Sequence, residues 1–274
     1  MAELQSFFDT LTGFFAGPGD GLSLWQFLII CPLVFTAGFV DAVAGGGGLI
    51  SLPAYLIAGV APHLALGTNK LAMMMGTAVA TLRYIRAGFV NFALSCLCVP
   101  CALFGSACGA RLALAVGDRP LKIALLFLLP ATAFMLMRTN LFAAHAPRRS
   151  QKTAAALAMA AALVIGVYDG FYGPGTGTFL ILILTLVCGM GIREANGMTK
   201  VINLSTNVAA MAVFLAHGQI LVPLALCAGA CAIAGNYLGA GFFKGGHVRG
   251  VRAVMLAVIA VFFVKVSWEL ITGA

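Results

Sequence analysis

Residues Gly38-Phe39-Val40-Asp41-Ala42-Val43-Ala44-Gly45-Gly46-Gly47-Gly48 form an apolar run that holds one acid and ends in four consecutive glycines. Residues Gly166-Val167-Tyr168-Asp169-Gly170-Phe171-Tyr172-Gly173-Pro174-Gly175 repeat the pattern. Gly38, Asp41, Gly45 and Gly47 return at a constant offset as Gly166, Asp169, Gly173 and Gly175. After a short insertion, Ala65, Gly67 and Lys70 are matched by Ala195, Gly197 and Lys200, and Gly88 by Gly218. Gly105 and Gly109 are matched by Gly235 and Gly239. A duplicated apolar unit, broken by glycine at corresponding places and keeping one acid and one lysine per copy, is the pattern of a secondary transporter built from two repeats.

The surroundings of these strings are those of a membrane protein. The chain is 62% hydrophobic and 9% charged, with a mean hydropathy of +1.05, and cannot cover itself with polar surface in water. Runs such as 154–167 and 251–264 are apolar on every side, which excludes the alternating pattern of a transmembrane barrel. The expected fold is therefore an all-α integral membrane protein. Apolar runs predict segments at 24–44, 48–61, 65–86, 91–112 and 120–138. A second set follows at 153–171, 177–190, 196–216, 220–242 and 251–271. The second segment of each set is shorter than the roughly 20 residues of a full span and reads as a half-crossing. The expected organisation is an N-terminal extension (1–23), a first repeat (24–140), a linker (141–152) and a second repeat (153–274).

The formal net charge of +8 does not indicate a nucleic-acid partner, because Lys and Arg are scattered between apolar segments without a basic stripe. Their distribution reads as topology. Arg83 and Arg86, the 138–152 cluster, and Lys244, Arg249 and Arg252 fall on one side, which is then cytoplasmic. Both termini face outward, although Arg111, Arg119 and Lys122 fall outside too. An odd number of crossings per repeat inverts the second copy relative to the first. The expected location is the cell inner membrane, with no basic stretch to mark a cleaved signal peptide. Cys96, Cys98 and Cys101 lie in an apolar run without acidic or histidine neighbours and read as small apolar residues.

Chemistry concentrates at the breaks. A helix cannot continue comfortably through Gly45, Gly46, Gly47 and Gly48, and unwound backbone persists in a bilayer only inside protein or along a watery cavity. The helix starting near Leu49 would offer amide groups to an anion. Gly173, Pro174, Gly175, Thr176 and Gly177 do the same in the second copy, with Thr176 and Thr178 adding hydroxyls. The bland alternative is that these glycines only allow tight helix crossing, which is the preferred reading of the Gly105/Gly109 and Gly235/Gly239 pairs. Lys70, preceded by Asn69, and Lys200 stand near the starts of the third segments. An ammonium in an apolar segment marks a functional candidate, unless it snorkels to a helix end. Asn203 and Asn207 share a helix face with Lys200, and Thr77 occupies the place matching Asn207. Asp41 and Asp169 could neutralise the lysines, cap helix ends, or carry a proton. No catalytic constellation, nucleotide loop or cofactor motif is present, so an enzyme is not expected.

The string from Gly38 to Pro53, followed by Gly67-Thr68-Asn69-Lys70, resembles the first repeat of the TauE/SafE family of sulfite and sulfoacetate exporters and toluene sulfonate uptake permeases. The string from Tyr168 to Gly175 resembles a branch of that family known only as membrane transporters. The resemblance implies transport of small sulfur-containing oxyanions by alternating access around a midplane site. A non-transporting scaffold and a passive anion channel remain the alternatives. The implied partners are a small anionic solute and the bilayer, and a homo-oligomer stays open.

Overall fold

The computed structural model describes residues 22–138, 150–243 and 268, and within them the chain is helical without strands. The first half comprises α1 (Leu24–Ala44), α2 (Gly48–Ile57), α3 (Pro62–Arg86), α4 (Phe92–Ala115) and α5 (Asp118–Arg138). The second half comprises α6 (Gln151–Phe171), α7 (Thr176–Leu182, continuing as a π-turn over Ile183–Val187), α8 (Ile192–Ala216) and α9 (Val222–Phe243). Most of the expected linker and the expected segment 251–271 lie outside the described residues. Of the described helices, α1, α4, α6, α8 and α9 are long and apolar enough to cross a bilayer, whereas α2 and α7 are short apolar helices. At 1.5 Å per residue a ten-residue helix such as α2 spans about 15 Å, half a bilayer core.

Local chemistry accounts for the helix starts. Ser23 and Gln26 form a capping box on α1, while the side chains of Asn91 and Ser150 accept from the Leu94 and Thr153 amides to open α4 and α6. The third segments begin earlier than their apolar runs suggest. Pro62 occupies the first turn of α3 and α8 begins at Ile192, so Lys70 and Lys200 lie about two turns inside their helices rather than at their starts. Large apolar side chains such as Leu28, Phe104, Phe127 and Val164 stay exposed. Such a surface is suited to lipid contact.

The two halves pack reciprocally. Helix α9, fourth of its half, packs on α1 and α3 of the other half, and α4 packs on α6 and α8. Helices α3 and α8 meet in the middle. The paired glycines make these crossings close: a Cβ on Gly105 or Gly109 would run into the Leu163 or Val167 carbonyl, and one on Gly235 or Gly239 into that of Phe35 or Phe39. Without a hydrophobic force between helices in lipid, such small-residue contact is what holds helices together. The packing role expected for these four glycines is the one the structure displays.

The insertion that interrupts the repeat also has a structural identity. Gly47 and Gly59 flank α2, and their counterparts Gly175 and Gly189 flank α7 with two more residues between them. The π-turn at Ile183–Val187 falls inside that interval, where the Cys188 amide reaches back to the Ile183 carbonyl at 3.0 Å. A wider turn absorbs extra residues without lengthening the helix by a whole turn.

Candidate functional site

Helix α1 stops at Ala44 because Gly45 takes a left-handed conformation (φ 73°), and the matched Gly173 does the same (φ 98°) after α6. The two breaks touch: a Cβ on Gly177 would lie 2.6 Å from the Gly45 carbonyl oxygen, and one on Gly48 would lie 2.9 Å from Pro174 Cα. Hydroxyls satisfy the carbonyls freed at the helix ends. Thr178 Oγ1 donates to the Ala44 carbonyl at 2.8 Å, Tyr84 to that of Ala42 at 2.7 Å, and Tyr168 to that of Pro174 at 2.6 Å.

Beside this junction lies a cavity of about 30 Å³. That volume holds on the order of two water molecules. Of the residues singled out in the sequence, Asp41, Gly45, Gly48, Asn69, Lys70, Asp169, Gly173, Asn203 and Asn207 line it. Met73, Thr77 and Gly177 complete the wall. Gly46, Gly47, Gly175, Thr176 and Lys200 are not part of the lining. The amides of Leu49 and Ile50 turn back onto the Gly46 and Gly47 carbonyls, so the start of α2 offers fewer donors than its sequence suggests. The Thr176 hydroxyl is likewise spent on the Gly173 carbonyl at 2.6 Å, and that of Thr178 on Ala44.

Both lysines are buried, Lys70 at 3% exposure and Lys200 at 0%, which rules out snorkelling. Each is neutralised by the acid of the other half. Lys200 Nζ donates to Asp41 Oδ2 at 2.8 Å and to the Asp41 carbonyl. Lys70 Nζ lies 2.9 Å from Asp169 Oδ2, close enough for an ion pair but without the alignment of a hydrogen bond. Asn203 and Asn207 face the cavity, whereas Lys200, on the same helix, turns to Asp41. Asn69 Oδ1, Thr77 Oγ1 and Asn203 Oδ1 are buried without a hydrogen-bond partner among the described residues. Unsatisfied polar atoms around a small polar cavity indicate a place for water or a ligand. Among the described residues no cluster of metal-ligating side chains is present.

Sequence reading named Thr77 and Gly177 without assigning them to the site, and it missed Met73. Thr77 is the counterpart of Asn207, so the repeat itself carried the signal. Gly177 follows the second break directly. Met73 carries no polar mark that would separate it from ordinary apolar packing.

The family model described as "Sulfite exporter TauE/SafE" matches residues 30–266. The chain is 40% identical over 221 residues to the "Probable membrane transporter protein ORF9" of Sinorhizobium sp, covering 79% of this chain and 80% of that protein. It is 36% identical to a "Probable membrane transporter protein" of Haemophilus influenzae, covering 75% and 80% of the two chains. It is 32% identical to the "Probable membrane transporter protein YfcA" of Escherichia coli K12, covering 74% of each. No solved structure matches. With a multi-pass helical body and a family match over most of its length, this chain belongs to the TauE/SafE sulfite exporter family of membrane transporters.

Proposed function

We propose that this protein is a secondary carrier of small sulfur-containing oxyanions, such as sulfite or a sulfonate group, working by alternating access around the cavity between the two breaks. The observation that carries this reading is the donor set collected there: the Lys70 ammonium, the Thr77 hydroxyl and the side-chain amides of Asn69, Asn203 and Asn207 surround one cavity at the contact of two broken helices. An asparagine amide can turn its NH₂ group towards an acceptor, so the unsatisfied oxygens of Asn69 and Asn203 do not oppose an anion. Discontinuous helices meeting at a polar site are the recurrent construction of secondary transporters.

The reciprocal packing of the halves supports an inverted repeat, since each half supplies matching surfaces and matching charges to the other. Positively charged loops favour placing both termini outside the inner membrane. The cavity is small, so its present size suits a compact solute better than an extended one. A compact oxyanion needs little further opening, and an extended sulfonate needs the halves to part.

Purified protein in liposomes tests the reading. Saturable uptake of radiolabelled sulfite, inhibited by excess unlabelled sulfite or methanesulfonate and strongly weakened in Lys70→Met, is the expected result. Conductance that does not saturate would indicate a channel, and the absence of flux a scaffold.

A further inference from the structure

Charge in the cavity is already balanced before any solute enters. Two ammonium groups, Lys70 and Lys200, face two carboxylates, Asp41 and Asp169, all of them buried. An anion added to this set leaves one negative charge uncompensated in a low-dielectric surrounding, which is strongly unfavourable. Either the anion is excluded or a cation enters with it.

The two pairs are not equivalent, although the repeat makes them counterparts. Lys200 is out of contact with the cavity and holds Asp41 through two acceptors, its carboxylate and its carbonyl. Lys70 and Asp169 both line the cavity and touch only through an unaligned ion contact. The pair sits close against Gly173, where a Cβ would crowd it, standing 3.1 Å from Lys70 Nζ and 3.3 Å from Asp169 Oδ1. An oxyanion approaching Lys70 therefore competes with Asp169, and the displaced carboxylate faces the same cavity.

From this asymmetry we propose that Asp169 is the proton carrier of the transport cycle, taking up one proton when the anion takes over Lys70, while Lys200–Asp41 stays closed as a permanent brace. The inference rests on the anion-carrier reading above. In the step itself a hydronium ion gives its proton to the Asp169 carboxylate, forming a neutral acid and water, and Lys70 remains an ammonium paired with the anion. On release the acid loses the proton and the ion pair returns. The ionisable groups facing Asp169 are Lys70 from α3 and, across the cavity, Asp41 from α1, which Lys200 of α8 holds. Tyr168 sits on its own helix and Tyr172 just past its end, and α2, α4, α5, α7 and α9 place no ionisable side chain in the cavity wall among the described residues. A monovalent anion and one proton cross together without net charge.

Methanesulfonate is the probe of choice because it stays a monoanion across the working pH range. The wild-type protein in liposomes containing a pH indicator should acidify the lumen with about one proton per methanesulfonate. An external pH one unit lower should then drive about tenfold accumulation. In Asp169→Asn, whatever methanesulfonate flux remains should carry no protons and should not accumulate, whereas Asp169→Glu should retain a ratio near one. Saturable wild-type flux without acidification would overturn the proton role and leave the carrier reading intact. Undiminished acidification in Asp169→Asn would overturn the assignment to this residue. No saturable flux in the wild type would overturn the carrier reading, and this inference with it.

Discussion

Lys70 and Lys200 occupy the same place in the repeat, yet their surroundings assign them different costs of removal. Lys200 is fully buried and closed on Asp41, so Lys200→Met strands a carboxylate inside the protein. Breaking one side of a buried pair costs about 3–5 kcal/mol. Thermal or denaturant unfolding in detergent should show that loss, and the double variant Lys200→Met/Asp41→Asn should recover part of it. Lys70→Met should destabilise less, because it removes an unaligned ion contact rather than two hydrogen bonds. Its effect should fall on the ligand instead: a charge-assisted hydrogen bond contributes about 1.5–3 kcal/mol, so sulfite affinity, read from anion-induced thermal stabilisation, should weaken by roughly ten- to a hundredfold. The lysines were legible in sequence because a charge in an apolar run is conspicuous. Their division of labour was not, since it depends on which acid of the other half each one meets and on what lies beside that contact. Asn203 and Asn207 illustrate the same limit. Helical spacing placed them with Lys200, but the ammonium bends away to Asp41 while the amides face the cavity.

At the scale of the helix, the glycines sort into those that break and those that pack, and the two kinds respond to substitution for different physical reasons. Gly235 packs: an added Cβ would meet the Phe35 backbone carbonyl, which cannot rotate aside as a side chain would. Gly235→Val should therefore force α9 away from α1 and lower stability by about 1–3 kcal/mol, the usual range for overpacking. Gly191→Ala is the control, because open space surrounds its Cβ position and its backbone is unstrained, and it should leave the unfolding temperature nearly unchanged. Both the breaks and the crossing glycines were legible because the repeat shows them twice. The donors at the breaks were less so. Four glycines in a row promise free amides, yet Leu49 and Ile50 spend theirs on Gly46 and Gly47, and the Thr176 and Thr178 hydroxyls go to carbonyls at the helix ends. Backbone groups inside a bilayer must find partners, and the nearest ones were taken before any ligand arrives.

For the whole molecule, the governing fact is that neither half is complete in its charges or in its packing. Residues 24–140 contain Lys70 and Asp41 but not the acid or the lysine that neutralises them, and residues 153–274 contain the complementary pair. Helix α9 finds its crossings on α1 and α3, and α4 finds its own on α6 and α8. A half expressed alone would carry a buried ammonium and a buried carboxylate without their partners, along with glycine-lined faces open to lipid. The chain cut between residues 141 and 152 should thus accumulate only when both fragments are made in the same cell. The two should purify together through an affinity tag on one of them, and the pair should regain sulfite-induced stabilisation. Stable membrane insertion of a tagged first half alone, with an unfolding transition like that of the pair, would show that the cross-paired charges are incidental to assembly. Such a result would also weaken alternating access here, because two halves that are independently complete have no shared interface whose opening must expose Lys70 to one side and then the other.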